Sequence, residues 1–350
     1  MSIKIQSMKD VVQQVAGIDV AQRELVVSLG RRDQEMTVEI FSFKIFPNNE
    51  KGFKSLILWV EQMAEKIIPV RYVMEATGVY HESLAYYLAD SGFEVSIVLP
   101  NKISNFFRTL EVNTITDKTA SQAITRFGLE RKLDVWKKPK RVFSQLKQLT
   151  RERDQLVAER TLLKNQLHAE RSEAFPNQRS IERLNKRIGL LNEQEKEIKT
   201  EIAEIVKQDK ELVKQIGTIT SIPGVGNLTA VIVLAETNGF ELIRNKKQLV
   251  SYAGLDIREK LSGTSVKGKP RISKKGNRHL RKAMHLPALS AIRNNDRFKA
   301  IFIRLVSKHG IKMKAAVAVQ RKLMELIYVI WKTNKIYDKT YLMHADNKAA

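Results

Sequence analysis

Three carboxylates could together do chemistry, and two of them stand inside apolar runs where a folded chain has little reason to keep a charge. Asp19 lies inside the apolar run VAGIDVA (15–21), Glu75 ends the apolar run RYVMEA (71–76) just before Thr77-Gly78, and Asp117 heads a helical segment in Ile-Thr-Asp-Lys. A carboxylate buried in a strand costs several kcal/mol unless it is paired or holds a metal. If the two apolar runs are neighbouring strands, the acids converge at one sheet edge. Hard oxygen ligands from separate elements suit Mg²⁺, which binds a few carboxylates and keeps positions for substrate phosphate. Each acid also has a plain reading: Asp19 as a strand-end residue, Glu75 in a salt bridge, Asp117 as a helix N-cap. Together these are weaker, since they leave a charge in each of two apolar strands without a purpose.

A second group of residues suits phosphate. Residues 258–282 hold Arg258, Lys260, Lys267, Lys269, Arg271, Lys274, Lys275, Arg278, Arg281 and Lys282 against one acid, Glu259, with glycines at 263, 268 and 276. A flexible cationic loop running into a helix fits a phosphate backbone, with an affinity that falls steeply with salt. Ser262, in Leu-Ser-Gly, sits where positive charge could stabilise a phosphorane-like transition state. On chemistry alone Ser251, Ser265 and Ser273 rival it. Upstream, SIPGVGNLTAVIVLAE (221–236) has the form of the second half of a helix-hairpin-helix unit. There Gly224 and Gly226 would let backbone N–H groups approach phosphate without reading bases. The alternative is a glycine turn between packed helices.

These residues need elements to hold them. VAGIDVA and ELVVSLG (24–30) read as a hairpin, MTVEIFSFKIF (36–46) as a third, half-buried strand, and 50–66 as a helix. RYVMEA is a strand, 81–92 a helix ending at glycine, FEVSIVLP (93–100) a strand, and 101–110 and 118–131 are helical. Three strands followed by alternating helices and strands is the order of a ribonuclease-H-like α/β layered sheet.

From 141 to about 215 glycine nearly vanishes. Val142, Leu149, Leu156 and Leu163 repeat every seven residues, and the alternate line of Leu146 and Leu167 is broken by Arg153 and Arg160. Phe175-Pro176-Asn177 interrupts the helix, and a second arm carries Ile181 to Leu212 on a stripe interrupted by Glu195 and Asp209. Two arms of about thirty residues span roughly 45–50 Å each. The pattern favours an antiparallel coiled-coil hairpin that also pairs with a second subunit, against a simple spacer.

The composition limits the classes available. The chain has 350 residues, 61 Lys+Arg against 38 Asp+Glu, a net charge of +23, six histidines and no cysteine. Disulfide scaffolds, thiolate zinc sites and cysteine nucleophiles are excluded, and the scattered histidines offer no metal pair. No apolar stretch approaches the ~20 residues that span a bilayer, and the first residues lack a secretory signal's apolar core, so a cytoplasmic, nucleoid-associated protein is expected. The excess charge on a 43% hydrophobic chain points to a polyanion. Three segments are expected: 1–138, the α/β domain; 139–215, the helical hairpin; and 216–350, a mainly helical domain with the glycine hairpin and the serine-bearing basic loop.

GIDVAQ (17–22), VMEATGVY (73–80), TDKTASQAITRFG (116–128), IPGVGNLTA (222–230), QLVSYAGL (248–255), LSG (261–263) and ISKKGNRHLRKAM (272–284) occur in the order and spacing of the Piv-type DEDD transposases. These are the recombinases of insertion-sequence family 110, and the resemblance covers nearly the whole chain. It implies a RuvC-like domain with a DEDD carboxylate set, a coiled-coil segment and a C-terminal transposase domain with a nucleophilic serine before a glycine. It further implies donor and target DNA and a structured bridge RNA as partners. The active sites would be composite, with acids and serine from different subunits of a dimer or tetramer. Residue by residue, Asp19, Glu75 and Asp117 match the first three acids and Mg²⁺ ligands, and Ser262 matches the nucleophile. The fourth acid falls at Ala120, where a ligand is missing. This reads as a natural variant with weakened metal binding or a deliberately disabled chain; the intact remaining motifs favour the latter. The rival classes are a metal nuclease on branched DNA, which leaves Ser262 idle, and a non-catalytic nucleic-acid scaffold, which leaves Asp19 and Glu75 unexplained.

Overall fold

The computed structural model describes residues 10–76, 78–110, 114, 116–241, 243–259, 261–262, 266–268 and 270–338. They divide into two compact units, 1–138 and 139–350.

In the first unit, β-branched and apolar runs form β1 (Val11–Val20), β2 (Glu24–Asp33), β3 (Val38–Pro47), β4 (Val70–Glu75) and β5 (Val95–Val98). Their order is β3-β2-β1-β4-β5. β1, β2 and β3 pair antiparallel, whereas β4 joins β1, and β5 joins β4, in parallel. This is the expected ribonuclease-H-like sheet. β1 starts four residues before the apolar run, because its polar start is satisfied. Gln14, almost fully buried, donates through Nε2 to the carbonyls of Glu65 and Ile68, and Gln13 donates to Gly128.

Helices cover both faces of the sheet. α1 (Glu50–Met63) and α2 (Glu82–Asp90) pack on the face that carries Ala16, Ile18, Tyr72 and Met74. α3 (Pro100–Phe107) and α4 (Asp117–Glu130) pack on the other, with Val15 and Val73. Successive strand residues point to opposite faces. Val15, Gly17 and Asp19 of β1, and Val73 and Glu75 of β4, therefore face α4.

The second unit begins with the predicted hairpin, α5 (Arg141–Ser172) and α6 (Gln178–Gln208). The residues that break the apolar stripes meet each other. Arg153 Nη2 lies 2.9 Å from Glu195 Oε1, Lys199 Nζ lies 2.9 Å from the same oxygen, and Arg160 holds Oε2. One acid answers both arginines, which sets the arms antiparallel and in register. The second arm is shorter than the stripe suggests: α6 ends at Gln208, and Asp209 caps a new helix, α7 (Lys210–Thr220), accepting from Leu212 N at 3.0 Å. Proximal hairpin residues Phe143, Leu146, Ile198 and Ile202 share one core with the helices that follow, so within this unit the hairpin is not a body apart.

Those helices are α8 (Asn227–Thr237), α9 (Lys246–Tyr252), α10 (Arg278–Ala283), α11 (His285–Asn294), α12 (Asp296–His309) and α13 (Lys312–Thr333). Between α9 and α10, β6 (Ile257–Arg258) pairs with β9 (Arg271–Ile272), and β7 (Leu261–Ser262) with β8 (Val266–Lys267). The fold is α/β in the first unit and mainly α in the second. Among the described residues no helix is long and apolar enough to cross a membrane.

Candidate active site

Three local devices bring the acids of the first unit toward one another. The parallel register Ile18↔Met74 makes Asp19 and Glu75 the next residues along two paired strands, on the face of α4. α4 approaches β1 closely because residue 17 is glycine: a Cβ there would fall 2.3 Å from Thr125 N. Ser121 and Ser28 join hydroxyls at 2.7 Å, and Thr125 Oγ1 donates to Ser28 O at 3.0 Å, which fixes the helix along β2. Thr116 then caps α4 in a reciprocal capping box with Thr119, so Asp117 opens the helix at its positive end.

The result is a mutually repelling set of charges. Burial raises the Asp19 carboxyl from 3.8 to about 6, and the charges of Asp117 and then Glu75 push it the same way, against a bond from the Val20 backbone. Such a set gains from a divalent cation, and its donors are the hard oxygens that Mg²⁺ takes. Even so, among the described residues no three His, Cys, Asp or Glu side chains are gathered as a metal-holding group. Ala120 stands one turn after Asp117 on α4, half-buried, and offers a methyl where i, i+3 spacing would bring a fourth side chain.

In the second unit the motif segments lock onto one another. Gly276 folds against 252–254: a Cβ on it would fall 2.4 Å from Tyr252 O, and Asn277 N donates to that oxygen at 2.7 Å. Gly254, at φ +67, is closed in by Arg281 and Lys274. Asn277 caps α10 and donates through Nδ2 to Glu236 Oε2 at 2.6 Å. Arg151 of α5 grips the same carboxylate with two bonds, at 2.8 and 2.9 Å. Burial would raise Glu236, but the bonds from Arg151 and Asn277 hold it below its ordinary value. This buried acid escaped the sequence reading. It ends the run TAVIVLAE, and the reasoning that singled out Asp19 would have found it.

From this platform β6 and β9 lead to the β7–β8 hairpin, where Ser262 pairs with Val266 through the backbone. The side chains of Ser262 and Lys267 are outside the described set, and Lys269 and Ser265 lie outside the described residues. Of the rival serines, Ser273 is engaged, donating to Asp256 Oδ1 at 2.5 Å, and Ser251 sits exposed on α9.

The basic residues sort by engagement. Arg271, Lys274, Lys275 and Arg278 are exposed, and Lys274 adopts a left-handed backbone at φ +52. Arg281 is half-buried and donates to Ala253 O at 2.8 Å, bracing the 252–254 turn. The two hairpin glycines also part company. A Cβ on Gly224, at φ +91, would fall 2.7 Å from Pro287 O, so this residue lets the turn pack on α11. Gly226 is exposed with open space beside it, at the N-cap of α8, where no side chain caps the helix.

Comparison with known proteins gives a consistent picture. The DEDD-type IS110 family described as "Transposase" matches residues 16–176, and the one described as "Transposase IS116/IS110/IS902 family" matches residues 217–302. The pilin gene-inverting protein of Moraxella bovis is 28% identical over 300 residues, covering 84% of this chain and 90% of that protein. An IS110 insertion-element protein of Streptomyces coelicolor is 28% identical over 120 residues, 34% of this chain and 29% of its own. Among solved structures, Thermus thermophilus RuvC in complex with a Holliday junction substrate is 9% identical, covering 35% of this chain and all of its own, with a TM-score of 0.27.

Proposed function

The chain belongs to the IS110 family of transposases, DNA recombinases by class, and from that premise we propose a site-specific recombinase that moves its element with a serine nucleophile. The observation that carries this reading is Asp19 and Glu75 side by side on paired strands with the charge of Asp117, at the start of α4, acting on Asp19, in a chain that also bears Ser262 within a cationic hairpin.

Asp19, Glu75 and Asp117 would hold Mg²⁺, which when bound polarises the scissile phosphate and assists departure of the leaving oxygen. Ser262 Oγ attacks phosphorus, the bond from phosphorus to the leaving deoxyribose oxygen breaks, and that oxygen takes up a proton as a hydroxyl. The phosphoserine ester conserves the bond for religation, so exchange needs no external energy source. Arg271, Lys274, Lys275 and Arg278 hold the DNA backbone by charge, and the exposed amides at Gly226 add a contact that ignores base identity. The partners are donor and target DNA and a structured bridge RNA. The working form is a dimer or a pair of dimers, with acids and serine supplied by different subunits. Ala120 lowers the charge available to the metal, so this chain binds its nucleic acids better than it cleaves them.

The deciding experiment traps the covalent intermediate. In the Ala120→Asp background with Mg²⁺, a DNA adduct should resist denaturing electrophoresis, and peptide mapping should find the phosphodiester on Ser262. Cleavage without any protein-linked DNA would instead mark a carboxylate-only nuclease.

A further inference from the structure

At the root of the serine-bearing hairpin lies a cavity of about 440 Å³ that the proposed chemistry does not use. Its floor is aliphatic, formed by Leu255 and Ile272 beside the β6–β9 ladder and by Leu305, Val317 and Ala318 of α12 and α13. Its rim carries Arg271, Lys274, His309, Lys314 and Arg321, and among the described residues no carboxylate lines it. Arg321 is partly engaged, 3.3 Å from Glu325, while Arg271, Lys274 and Lys314 are exposed. Two apolar side chains stand open at its mouth, Ile257 at 57% and Met313 at 60% exposure.

An apolar floor under a ring of cations describes a particular occupant. A nucleobase is a flat body with two apolar faces, a hydrogen-bonding edge and a phosphate on either side of it, and a site of a few hundred Å³ is of the size that encloses one small ligand. A stacked, paired base cannot enter; it must first leave the helix, at a few kcal/mol, and is then held between apolar side chains. An apolar peptide would fit the floor but finds no acid to pair with and five cationic or titratable groups to desolvate. The position favours the strand being cut. Ser262 follows Ile257 by five residues, so their Cα atoms are at most about 18 Å apart, roughly five nucleotides at ~3.4 Å each.

We propose that this cavity receives one unpaired nucleotide of the DNA strand engaged by Ser262, its base on the aliphatic floor and its flanking phosphates on the cationic rim. The choice of that strand rests on the recombinase reading; the pocket itself does not.

The test uses the full chain and two DNA probes, a duplex with one bulged 5-iododeoxyuridine and the same duplex fully paired, with a bulged RNA duplex as a third arm. Wild type should bind the bulged DNA about ten-fold tighter than the paired one, as expected when the unstacking has been done in advance. Irradiation should crosslink the iodinated base to the peptide that carries Met313. Ala318→Leu, which fills the floor, and Met313→Glu, an exposed change that leaves folding intact, should each abolish the preference. Ser262→Ala should keep it, because the serine hydroxyl is no part of the pocket.

Equal affinity for the bulged and paired duplexes, or a crosslink elsewhere, overturns the proposal. So does a bulged RNA that outcompetes the DNA, which makes this a guide-RNA site. Variants that shift sedimentation but retain the bulge preference make it a protein interface and overturn it likewise. A bulge preference that stands in a protein forming no serine adduct supports the pocket while refuting the catalytic reading.

Discussion

At the scale of residues, position 120 is the sharpest point of the site. Ala120→Asp should raise Mg²⁺-dependent strand cleavage by at least the ~10–100-fold that changes one shell further out produce, because the proposed hard-cation site would gain both a ligand and a charge. The measurement is single-turnover cleavage against Mg²⁺ concentration; identical curves for the two proteins would remove position 120 from the ligand set. Ser262 is tested in the Ala120→Asp background. Ser262→Ala should abolish covalent attachment and leave DNA binding within about two-fold, since in the proposed reaction the hydroxyl supplies chemistry and the basic residues of 258–282 supply affinity. Ser265→Ala is the matched control, three residues away in the same loop. Strand transfer that survives Ser262→Ala would end the serine assignment.

At the scale of elements, the site depends on how closely α4 lies on β1. Gly17→Ala puts a methyl 2.3 Å from Thr125 N, a backbone atom, so the helix must move outward and carry Asp117 with it. We expect a loss of about 1–3 kcal/mol in stability, typical of forced overpacking. Metal-dependent cleavage should fall further than that, measured by denaturant melts beside single-turnover rates. A glycine inside a strand, two residues before the acid, was plain in the sequence; its partner across the layer was not, because contacts between distant segments leave no mark in local spacing. The strand order, the hairpin and the meeting of Asp19 with Glu75 were legible, since alternation and heptads write themselves into one segment at a time. The arginines of α5 and the acid of α6 were visible only as flaws in two separate stripes. Their pairing needed both helices in view.

That ion cluster makes its own prediction. Burial would lift the Glu195 carboxyl, yet the bonds from Lys199 and Arg160 and the charge of Arg153 bring it from 4.5 to about 2. A lowered carboxyl adds stability that is present in full above its unfolded value near 4.5 and is lost as pH falls toward 2. Glu195→Gln should therefore destabilise the protein at pH 7 by up to about 3 kcal/mol, leaving two arginines half-buried without their partner. The difference between the two proteins should shrink steadily below pH 4.5 and nearly vanish by pH 2, read from urea midpoints. A difference constant with pH would mean that Glu195 acts through packing alone.

At the scale of the whole molecule, the net charge of +23 makes binding a matter of counterions. Log affinity for DNA should fall linearly with log salt, and changing Lys274, Lys275 and Arg278 to Gln should flatten that line by about 0.9 for each phosphate that these side chains neutralise. An unchanged slope in the triple variant would place the backbone track on another surface. Arg281→Gln is expected to behave differently: it frees the Ala253 carbonyl and loosens the turn beneath the serine hairpin, so its first effect should be on melting temperature.

The hairpin of α5 and α6 carries one more consequence. Because Arg153, Arg160 and Glu195 fix where the arms meet, every residue between Arg160 and Glu195 belongs to a loop closed at its base by charge. Chain length out there can change only in matched pairs, as a zip fastener can be lengthened only on both tapes at once. A heptad inserted after Leu163 needs a heptad inserted before Leu191, or the teeth beyond the insertion no longer mesh. Relatives with longer or shorter arms should therefore differ by equal amounts on the outward and returning strokes, with the arginines and the acid as the fixed stop from which both are counted.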